Sequence, residues 1–267
     1  MKDKLDIINR YAENTARAEQ VPHPRGDLTN RNRLSWWFPK IPDDIPTPKT
    51  EIIYHDGEDL LHLMDHKIPG GFRKLCHRVI GAGDKLGWPL FLRTDFLSGK
   101  HGWKETCCIQ SPDKVILHII ALVQESALAD IVGFPMDYWI AREMIPTKPA
   151  FYAFHGNMPI VKERRYFVYN DQVMCHHPYW PIEAFEHRMN DISSNWRCLL
   201  DEMNVEDDDE IYLLSELSSR VGRAIGGDWS IDWLWSEPLQ KWFLTDMASA
   251  IESYHWMNCI HNKTWAK

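Results

Sequence analysis

The amino-acid sequence predicts a mixed fold of the α+β (α/β) class. Two stretches of alternating apolar and polar residues, 160–177 and 229–248, are each interrupted by a turn and predict β-hairpins. Between them, residues 181–225 predict two helices. A further helix is expected at 111–130, where a serine cap and a proline precede a largely apolar segment. Strands and helices therefore occur together along the whole chain.

Composition excludes several functional classes. The 267 residues include 30 lysines and arginines and 38 aspartates and glutamates, and the formal net charge is -8, which argues against broad nucleic-acid binding. No apolar run approaches the roughly 18–20 residues that span a bilayer, and the N-terminus has no signal-peptide core. The six cysteines form no Cys-x-x-Cys pair, so reduced thiols and a cytoplasmic location are expected.

The first 85 residues predict an N-terminal region that precedes the main domain. Six prolines between residues 21 and 50 indicate an extended, irregular arm rather than a packed unit, and Trp36-Trp37-Phe38 is expected to pin it to the body. In chain order, the elements expected here are an amphipathic helix at 3–20, the arm at 21–50, a strand at 51–54 and helices at 60–64 and 72–86.

Residues 88–109 predict a phosphate-binding segment. The buried strand Leu90–Leu92 ends in Arg93, the small polar loop 98–102 carries Lys100, and the chain is expected to extend again at Trp103–Ile109. Glycine lets backbone N–H groups approach phosphate oxygens, and the two cations supply charge. The alternative is a surface hairpin with solvated basic side chains.

The first hairpin also carries charge at the start of a strand. Alternation places Glu163 and Arg165 on one face and Lys162 and Arg164 on the other, so one face could meet a phosphate. The alternative is a solvated strand edge. The acidic run at 206–210, between the two predicted helices at 181–202 and 208–225, is interpreted as a solvated connection and a helix N-terminus.

The second hairpin predicts two facing carboxylates. If Trp235 pairs with Phe243, then Asp232 lies opposite Asp246, and Glu252 follows just beyond the strand end. Three such acids could hold Mg²⁺, which prefers oxygen ligands. In the alternative, one acid is exposed and the other caps a turn, and a register slip of one residue would separate the pair.

Two further segments carry weaker signals. The strand at 139–145 ends in Arg142-Glu143-Met144-Ile145 before a proline, and such a segment can offer backbone groups to an adenine edge. The run Cys175-His176-His177 suggests zinc, but no second ligand pair follows at finger-like spacing, so zinc is disfavoured. A Cys–His nucleophile is disfavoured as well, because nothing local supplies an oxyanion site.

Taken in order, these parts resemble the ATP-grasp superfamily over about residues 86–256. The chain is more narrowly similar to the clade named for two arginines and a lysine, which includes many bacteriophage and bacterial proteins. It also resembles, distantly, the eukaryotic ATP-grasp chaperone that assembles a translation initiation factor. The motifs that carry the resemblance are Ser98-Gly99-Lys100, Glu163-Arg164-Arg165-Tyr166-Phe167-Val168, Ile231-Asp232 and Leu244-Thr245-Asp246.

The resemblance implies two α/β subdomains that close on ATP, at about 86–141 and 142–267. It implies phosphate contacts from Arg93 and Lys100 and a γ-phosphate or acyl-phosphate contact from Arg165, with Arg165 and Lys100 as the catalytic residues. The residues implied at the nucleotide are Arg93, Lys100, Arg142, Glu143, Met144, Ile145, Glu163 and Arg165, and those at Mg²⁺ are Asp232, Asp246 and Glu252. Where the family often has Asp-x-Asn, this chain has Asp246-Met247-Ala248, so Glu252 is expected to replace the missing ligand.

The function implied is an ATP- and Mg²⁺-dependent ligase that joins a carboxylate to an amine or similar nucleophile through an acyl-phosphate. Two alternatives stay open: an ATP-binding assembly factor with little turnover, for which residues 21–50 and 206–210 are possible partner surfaces, and an ATP-dependent kinase. The expected partners are ATP and an unidentified carboxylate or amine acceptor, which could be a small molecule, a peptide or a protein. The location would be the host cytoplasm if a phage encodes the chain.

Overall fold

A computed structural model describes residues 30–55, 60–129, 135–186 and 192–256. The helix predicted at 3–20 lies outside these residues, and so does most of the turn that the sequence His55-Asp56-Gly57 predicts. The helices are α1 (Leu34–Trp37), α2 (Phe72–Leu86), α3 (Val115–Leu128), α4 (Glu183–Glu186), α5 (Trp196–Asn204) and α6 (Asp208–Ile225). The strands are β1 (Thr50–Tyr54), β2 (Leu90–Thr94), β3 (Cys108–Ile109), β4 (Tyr138–Glu143), β5 (Phe151–Ala153), β6 (Met158–Ile160), β7 (Glu163–Tyr169), β8 (Gln172–Pro178), β9 (Asp228–Ser236) and β10 (Lys241–Ala248).

The first layer is a four-stranded antiparallel sheet in the order β1-β4-β2-β3. Its apolar face carries Leu90, Leu92 and Trp139, which are fully buried against Val79 of α2 and Ile119 of α3. The opposite face, set by the alternation of side chains along each strand, is left for Arg93 and Arg142. The sheet therefore presents its cations away from its own helices.

The second layer is a four-stranded sheet in the order β10-β9-β7-β8. Helix α6 covers one face and packs Leu214 and Val221 against Tyr166 and Trp233. Gly222 lets the helix approach the hairpin turn, because a Cβ there would lie 1.9 Å from the carbonyl oxygen of Asn170. The other face of this sheet carries the polar side chains of the candidate site.

A small third unit supports the loop that carries Lys100. Hairpin β5–β6 and helices α4 and α5 share an aromatic cluster that includes Phe185 and Trp196. The hairpin turn lies directly on the loop, where the Gly156 N–H donates to the His101 carbonyl at 3.0 Å. A Cβ at Gly156 would lie only 2.1 Å from the carbonyl carbon of Gly102, so this contact requires glycine.

The described part of the proline-rich arm is packed, which corrects the expectation of an irregular unpacked segment. Leu34 and Trp37 are fully buried, so the predicted aromatic anchor is present. The arm bonds to both sheets: the Glu143 N–H donates to the Lys49 carbonyl at 3.0 Å, and the Leu244 N–H donates to the Pro46 carbonyl at 2.8 Å. The arm therefore links the two layers.

Strand β1 lies before residue 85 and helix α2 extends across it, yet they belong to the same sheet and core cluster as β2 and β4. The boundaries at 85 and 141 stay predictions of subdomain limits. Among the described residues, no helix combines the length and apolar character needed to cross a membrane.

Several predicted elements differ in detail from the structure. The extended segment at 103–109 is reduced to Cys108–Ile109, because the preceding residues form turns. The helix at 181–202 is represented by two separate helices, α4 and α5, and β4 ends at Glu143 instead of Ile145. At the chain end, only Ala250–Glu252 is helical, as a short 3-10 turn, while 253–256 are not. The sequence also predicts a short last helix at roughly 251–262, and the rest of this helix lies outside the described residues.

The acidic run between α5 and α6 also makes more contacts with the rest of the protein than predicted. The Asp207 carboxylate caps α6 by accepting from the Glu210 N–H at 2.8 Å. Glu210 itself is buried, and its carboxylate forms ion pairs with Arg164 and Lys162. Part of this run therefore fixes α6 to the second sheet and is not a solvated connection.

Candidate functional site

The candidate site lies between the two four-stranded sheets. From the first sheet, Arg93 Nη1 reaches the Asp246 carboxylate of β10 at 2.8 Å. Arg142 Nη1 donates to the Thr245 carbonyl of the same strand at 2.5 Å, and its Nε donates to Thr50 Oγ1. Arg93 and Arg142 are both nearly fully buried, so these contacts join the layers away from bulk water.

The two predicted aspartates face each other, but through a different register from the one expected. Trp235 pairs with Trp242 and not with Phe243, so the assumed pairing is wrong by one residue. A β-bulge between Leu244 and Asp246 then shifts the register and places Asp246 opposite Asp232. The predicted carboxylate pair is therefore present because the bulge offsets the difference.

The bulge also explains why Asp246 is on the polar face. Before it, the buried residues Trp242 and Leu244 face the core under α6, and beyond it Met247 faces the same core. The extra residue, Thr245, changes the phase of alternation and leaves its carbonyl oxygen for Arg142. Asp246 is consequently turned toward Arg93.

Arg165 forms a bidentate ion pair with Asp232. Its Nε lies 2.7 Å from Oδ1 and its Nη2 lies 2.8 Å from Oδ2, as expected for directly paired residues on β7 and β9. Burial opposes the charge, yet the neighbouring Asp232 carboxylate holds the pKa of Arg165 above its ordinary value. Arg165 is therefore a fixed cation at the centre of the sheet face.

Lys100 is brought from the loop to the second sheet. Its Nζ donates to Tyr179 Oη at 2.9 Å and lies 3.9 Å from Glu163 Oε2, and it stands over the rings of Tyr179 and Trp180. Burial would lower the pKa of Lys100, but Tyr179 and Glu163 raise it above its ordinary value. The lysine stays charged, and the ring of Tyr179 that it contacts also lies against the Arg165 guanidinium.

Glu163 is buried and anchors Lys100. Its Oε1 accepts from Trp180 Nε1 at 3.0 Å. Burial raises the pKa of Glu163, whereas the charge of Lys100 opposes that rise. Among the described residues, the Glu163 carboxylate contacts Lys100 and Trp180, and it thereby holds the loop lysine in place.

At Asp246, burial is opposed by cations. The guanidinium of Arg93, followed by Arg142 and Lys100, holds the pKa of Asp246 below its ordinary value. Burial and the nearby Arg93 charge in turn lower the pKa of Arg142. The site thus gathers four cations and three carboxylates between the sheets: Arg93, Lys100, Arg142 and Arg165 with Glu163, Asp232 and Asp246.

The remaining predicted residues lie at the margins of this cluster. The Glu143 carboxylate accepts from the Lys49 N–H at 2.8 Å, while Met144 and Ile145 are half-buried just beyond β4. Glu252 is exposed and accepts a hydrogen bond from Asn32 Nδ2. These four residues surround the cluster without entering its network of ion pairs.

The donor set fits a divalent cation only in part. Carboxylate oxygens are suitable ligands for Mg²⁺, and Asp232 and Asp246 face each other. Each is, however, bound to an arginine, and within the described residues no three His, Cys, Asp or Glu side chains come close enough together to hold a metal ion. The role of Glu252 as a third ligand stays a prediction.

Two residues that adjoin this cluster, Tyr179 and His177, were not predicted as site residues from the sequence. Tyr179 bonds to Lys100, and the Arg165 guanidinium lies 4.7 Å from the centre of its ring. His177 is the cross-strand neighbour of Arg165 on β8. Alternation from Arg165 could have located His177 once the hairpin register was known, whereas the contact with Tyr179 depends on the fold of the loop around Lys100.

Comparison with known proteins addresses the fold. No family model and no curated protein sequence matches the chain. Among solved structures, Cdc123 from Schizosaccharomyces pombe is similar with a TM-score of 0.50 and 15% identity, over 81% of this chain and 82% of that one. The chain and this structure share a fold of mixed helices and sheets.

Weaker similarities involve ligases. D-alanine–D-alanine ligase from Bacillus anthracis, complexed with ATP, gives a TM-score of 0.43 at 12% identity, over 81% of this chain and 54% of that one. The ATP-grasp ligase PsnB, complexed with precursor peptide PsnA2 and AMPPNP, gives 0.42 at 9% identity, over 84% and 50%. These scores are too low for residues to be compared one by one.

Proposed function

We propose that this protein is an ATP- and Mg²⁺-dependent ligase that joins a carboxylate to an amine. The observation that carries the proposal is that Arg93, Lys100 and Arg165, from three separate segments, lie against the face of the second sheet that also carries Asp232 and Asp246. Side chains with fixed positive charge, beside acids suited to magnesium, are the groups that phosphoryl transfer requires.

The reaction would proceed in two steps on the substrates. A substrate carboxylate oxygen attacks the γ-phosphorus of ATP, the bond to the β,γ-bridging oxygen breaks, and ADP leaves with the electron pair. The amine nitrogen then attacks the acyl carbon, the bond from carbon to the phosphate oxygen breaks, and phosphate leaves. No side-chain nucleophile is needed in either step.

The protein would position the substrates and neutralise their charge. Lys100 and Arg93 would bind the ATP phosphates, and Arg165 would bind the group in transfer. Asp232 and Asp246, with Glu252, would hold Mg²⁺, which supplies charge neutralisation at the phosphate oxygens when it is bound. Arg142, Glu143, Met144 and Ile145 would line the nucleoside, and Glu163 would keep Lys100 in place.

A titration calorimetry experiment tests the nucleotide site. We expect wild-type protein to bind MgATP more tightly than ATP in EDTA, and Asp246→Ala to lose roughly tenfold or more of the MgATP affinity, because a charge-assisted contact contributes about 1.5–3 kcal/mol. Glu237→Ala is the matched control, since this exposed acid of the same hairpin pairs with Lys148 at the surface. A folded wild-type protein that binds no MgATP would overturn the proposal.

A second candidate function is an ATP-binding assembly factor with little turnover. It is favoured by the arginine partners of Asp232 and Asp246 and by the sequence Asp246-Met247-Ala248, which lacks the common asparagine ligand. ADP release that requires an added carboxylate and amine would support the ligase. Tight MgATP binding without ADP release across a panel of such acceptors would support the assembly factor.

A further inference from the structure

The face of the second sheet carries one more polar side chain in line with the site. Directly paired residues on neighbouring strands project to the same face. Pairing across β8, β7, β9 and β10 therefore sets His177, Arg165, Asp232 and Asp246 in a single row. His177 is next to the arginine that we assign to the transferred group.

The imidazole of His177 has a defined tautomer. Its Nδ1 lies 2.7 Å from the carbonyl oxygen of Pro178, and because a carbonyl can only accept, Nδ1 carries the hydrogen. In the neutral ring, Nε2 is then a bare acceptor. His177 is 4% exposed, and within the described residues Nε2 has no hydrogen-bond partner. A buried acceptor without a donor is costly unless a ligand satisfies it.

A short C-terminal segment, residues 254–256, covers this part of the row. The Tyr254 carbonyl accepts from Arg165 Nη1 at 3.1 Å. The Trp256 ring stacks on His177 with centroids 5.3 Å apart and an angle of 26°, and His255 meets it edge-on at 5.3 Å. The same three residues therefore lie over both Arg165 and His177.

The surroundings of His177 keep its ring neutral. Burial is the largest cause, and the positive charge of Arg165 and the neighbouring His255 and His176 act in the same direction. The hydrogen bond to the Pro178 carbonyl raises the pKa of His177, but burial and the neighbouring charges outweigh it and lower the pKa to about 3. Nε2 therefore stays an acceptor throughout the neutral pH range.

We propose that His177 binds the amine substrate of the ligation, with Nε2 accepting a hydrogen bond from its N–H group. This inference rests on the proposed ligase function. It assigns the second substrate, a primary amine that enters in its neutral form, to the β8 end of the row. Residues 254–256 move aside to admit it. The imidazole orients the nitrogen lone pair toward the acyl carbon, and the proton released as the C–N bond forms leaves with the departing phosphate.

Nitrogen NMR on the full-length protein tests this assignment, with hydroxylamine as the probe because it is a small neutral amine. In protein labelled with ¹⁵N in histidine and saturated with MgADP, we expect the Nδ1–H tautomer of His177 and a saturable shift of its Nε2 resonance with hydroxylamine. An Nε2–H tautomer, an imidazolium at pH 7.5, or a shift that rises linearly without saturation would overturn the proposal.

Variants separate the acceptor atom from the shape of the ring. Backbone amide shifts near residue 177 give the dissociation constant of hydroxylamine. We expect about tenfold weaker binding in His177→Phe and a smaller loss in His177→Gln, which keeps an acceptor near the Nε2 position. His176→Phe is the matched control, because His176 faces the other side of β8, where it stacks on Tyr166 and contacts Glu206. Equal affinities in all four proteins would contradict the assignment.

Two measurements keep this test distinct from the test of the ligase function. Trp256→Ala removes the ring stacked on His177, so hydroxylamine should bind about tenfold more tightly if residues 254–256 limit access; unchanged or weaker binding would refute their role as a cover. MgATP titration of the wild type reports on the nucleotide site by itself. If MgATP binds normally and hydroxylamine does not bind near residue 177, the amine site fails while the nucleotide site stands.

Discussion

Each aspartate of the candidate site is already bound to a guanidinium. Arg165 binds Asp232 with two hydrogen bonds, and Arg93 binds Asp246 with one. An incoming cation must compete with these ion pairs, and breaking a buried pair without replacing its contacts is costly. The affinity of a cation for this site is consequently the difference between the contacts that it makes with the aspartates and the arginine contacts that it replaces. The variant Asp246→Ala alters both sets of contacts.

At the scale of single residues, His177 should make stability depend on pH. Its pKa is 6.5 in the reference state and about 3 in the fold, so between these values the unfolded chain binds a proton that the folded protein does not. The folded state is therefore favoured above pH 6.5 and loses this advantage as pH falls. Linkage gives a loss of about 2 kcal/mol between pH 7.5 and pH 5 from this group.

Urea unfolding at both pH values measures this effect in the wild type and in His177→Phe, which has no titrating group at this position. The wild type should lose about 2 kcal/mol more than the variant on acidification. Equal losses in the two proteins would mean that the imidazole is not held neutral by its surroundings.

At the scale of elements, the contact between α6 and the first hairpin depends on a glycine. A Cβ at Gly222 would lie 1.9 Å from the Asn170 carbonyl oxygen, whereas nothing lies within 4 Å of a Cβ at Gly81 in α2. Gly222→Ala should lower the free energy of unfolding by about 1–3 kcal/mol, as overpacking does. Gly81→Ala, the matched helical control, should raise it by up to about 1 kcal/mol.

Thermal or urea unfolding of the two variants gives these values directly. The opposite signs are the diagnostic result, because both substitutions add the same methyl group to a helix. A neutral or stabilising Gly222→Ala would show that α6 can move away from the hairpin turn without loss of packing.

Sequence patterns predicted the elements better than their registers. Both hairpins were expected from alternation and from turn residues such as Asn170-Asp171, and both are confirmed. The bulge at Thr245 was missed, although it has a signal: the apolar residues change from Trp242 and Leu244 to Met247, a switch of phase in the alternation. The short turns at 103–107 could not be predicted, because their form depends on contacts with Gly156.

At the scale of the whole molecule, Asp95, which directly follows β2, fixes the arm to the first sheet. This buried carboxylate accepts from Arg33 Nε and from the N–H and hydroxyl of Ser35, each at 2.7 Å. Asp95→Asn should lower the free energy of unfolding by about 3 kcal/mol, because it leaves the buried Arg33 with a weaker partner. Asp44→Asn, in the exposed pair of the same arm with Arg220, should cost less than about 1 kcal/mol.

Fluorescence and circular dichroism should report one coincident urea transition for Asp95→Asn, shifted to lower concentration. A separate early transition seen by only one of the two probes would show that the arm unfolds independently of the sheets.

The arrangement of the layers could not be predicted from the sequence patterns alone. The sequence predicted that Arg93, Lys100, Arg165, Asp232, Asp246 and Glu252 gather at one site. In the structure Arg93 pairs with Asp246, Arg165 with Asp232 and Lys100 with Glu163, whereas Glu252 bonds to Asn32. The placement of residues 254–256 over Arg165 was not expected, since it depends on where the chain turns after Glu252. Long-range contacts of this kind leave no periodic signal in a sequence.

The bulge in β10 has a consequence for chain length. Without Thr245, Leu244 would be joined directly to Asp246, and the pairings with Trp233 and Asp232 would form one uninterrupted ladder. The carbonyl that binds Arg142 and the hydroxyl that donates to the Asp232 carbonyl would be lost. Removal of Asp246 instead would eliminate a site carboxylate. Indels in this strand are therefore not equivalent: at Thr245 a residue can be gained or lost without changing which face the flanking side chains occupy.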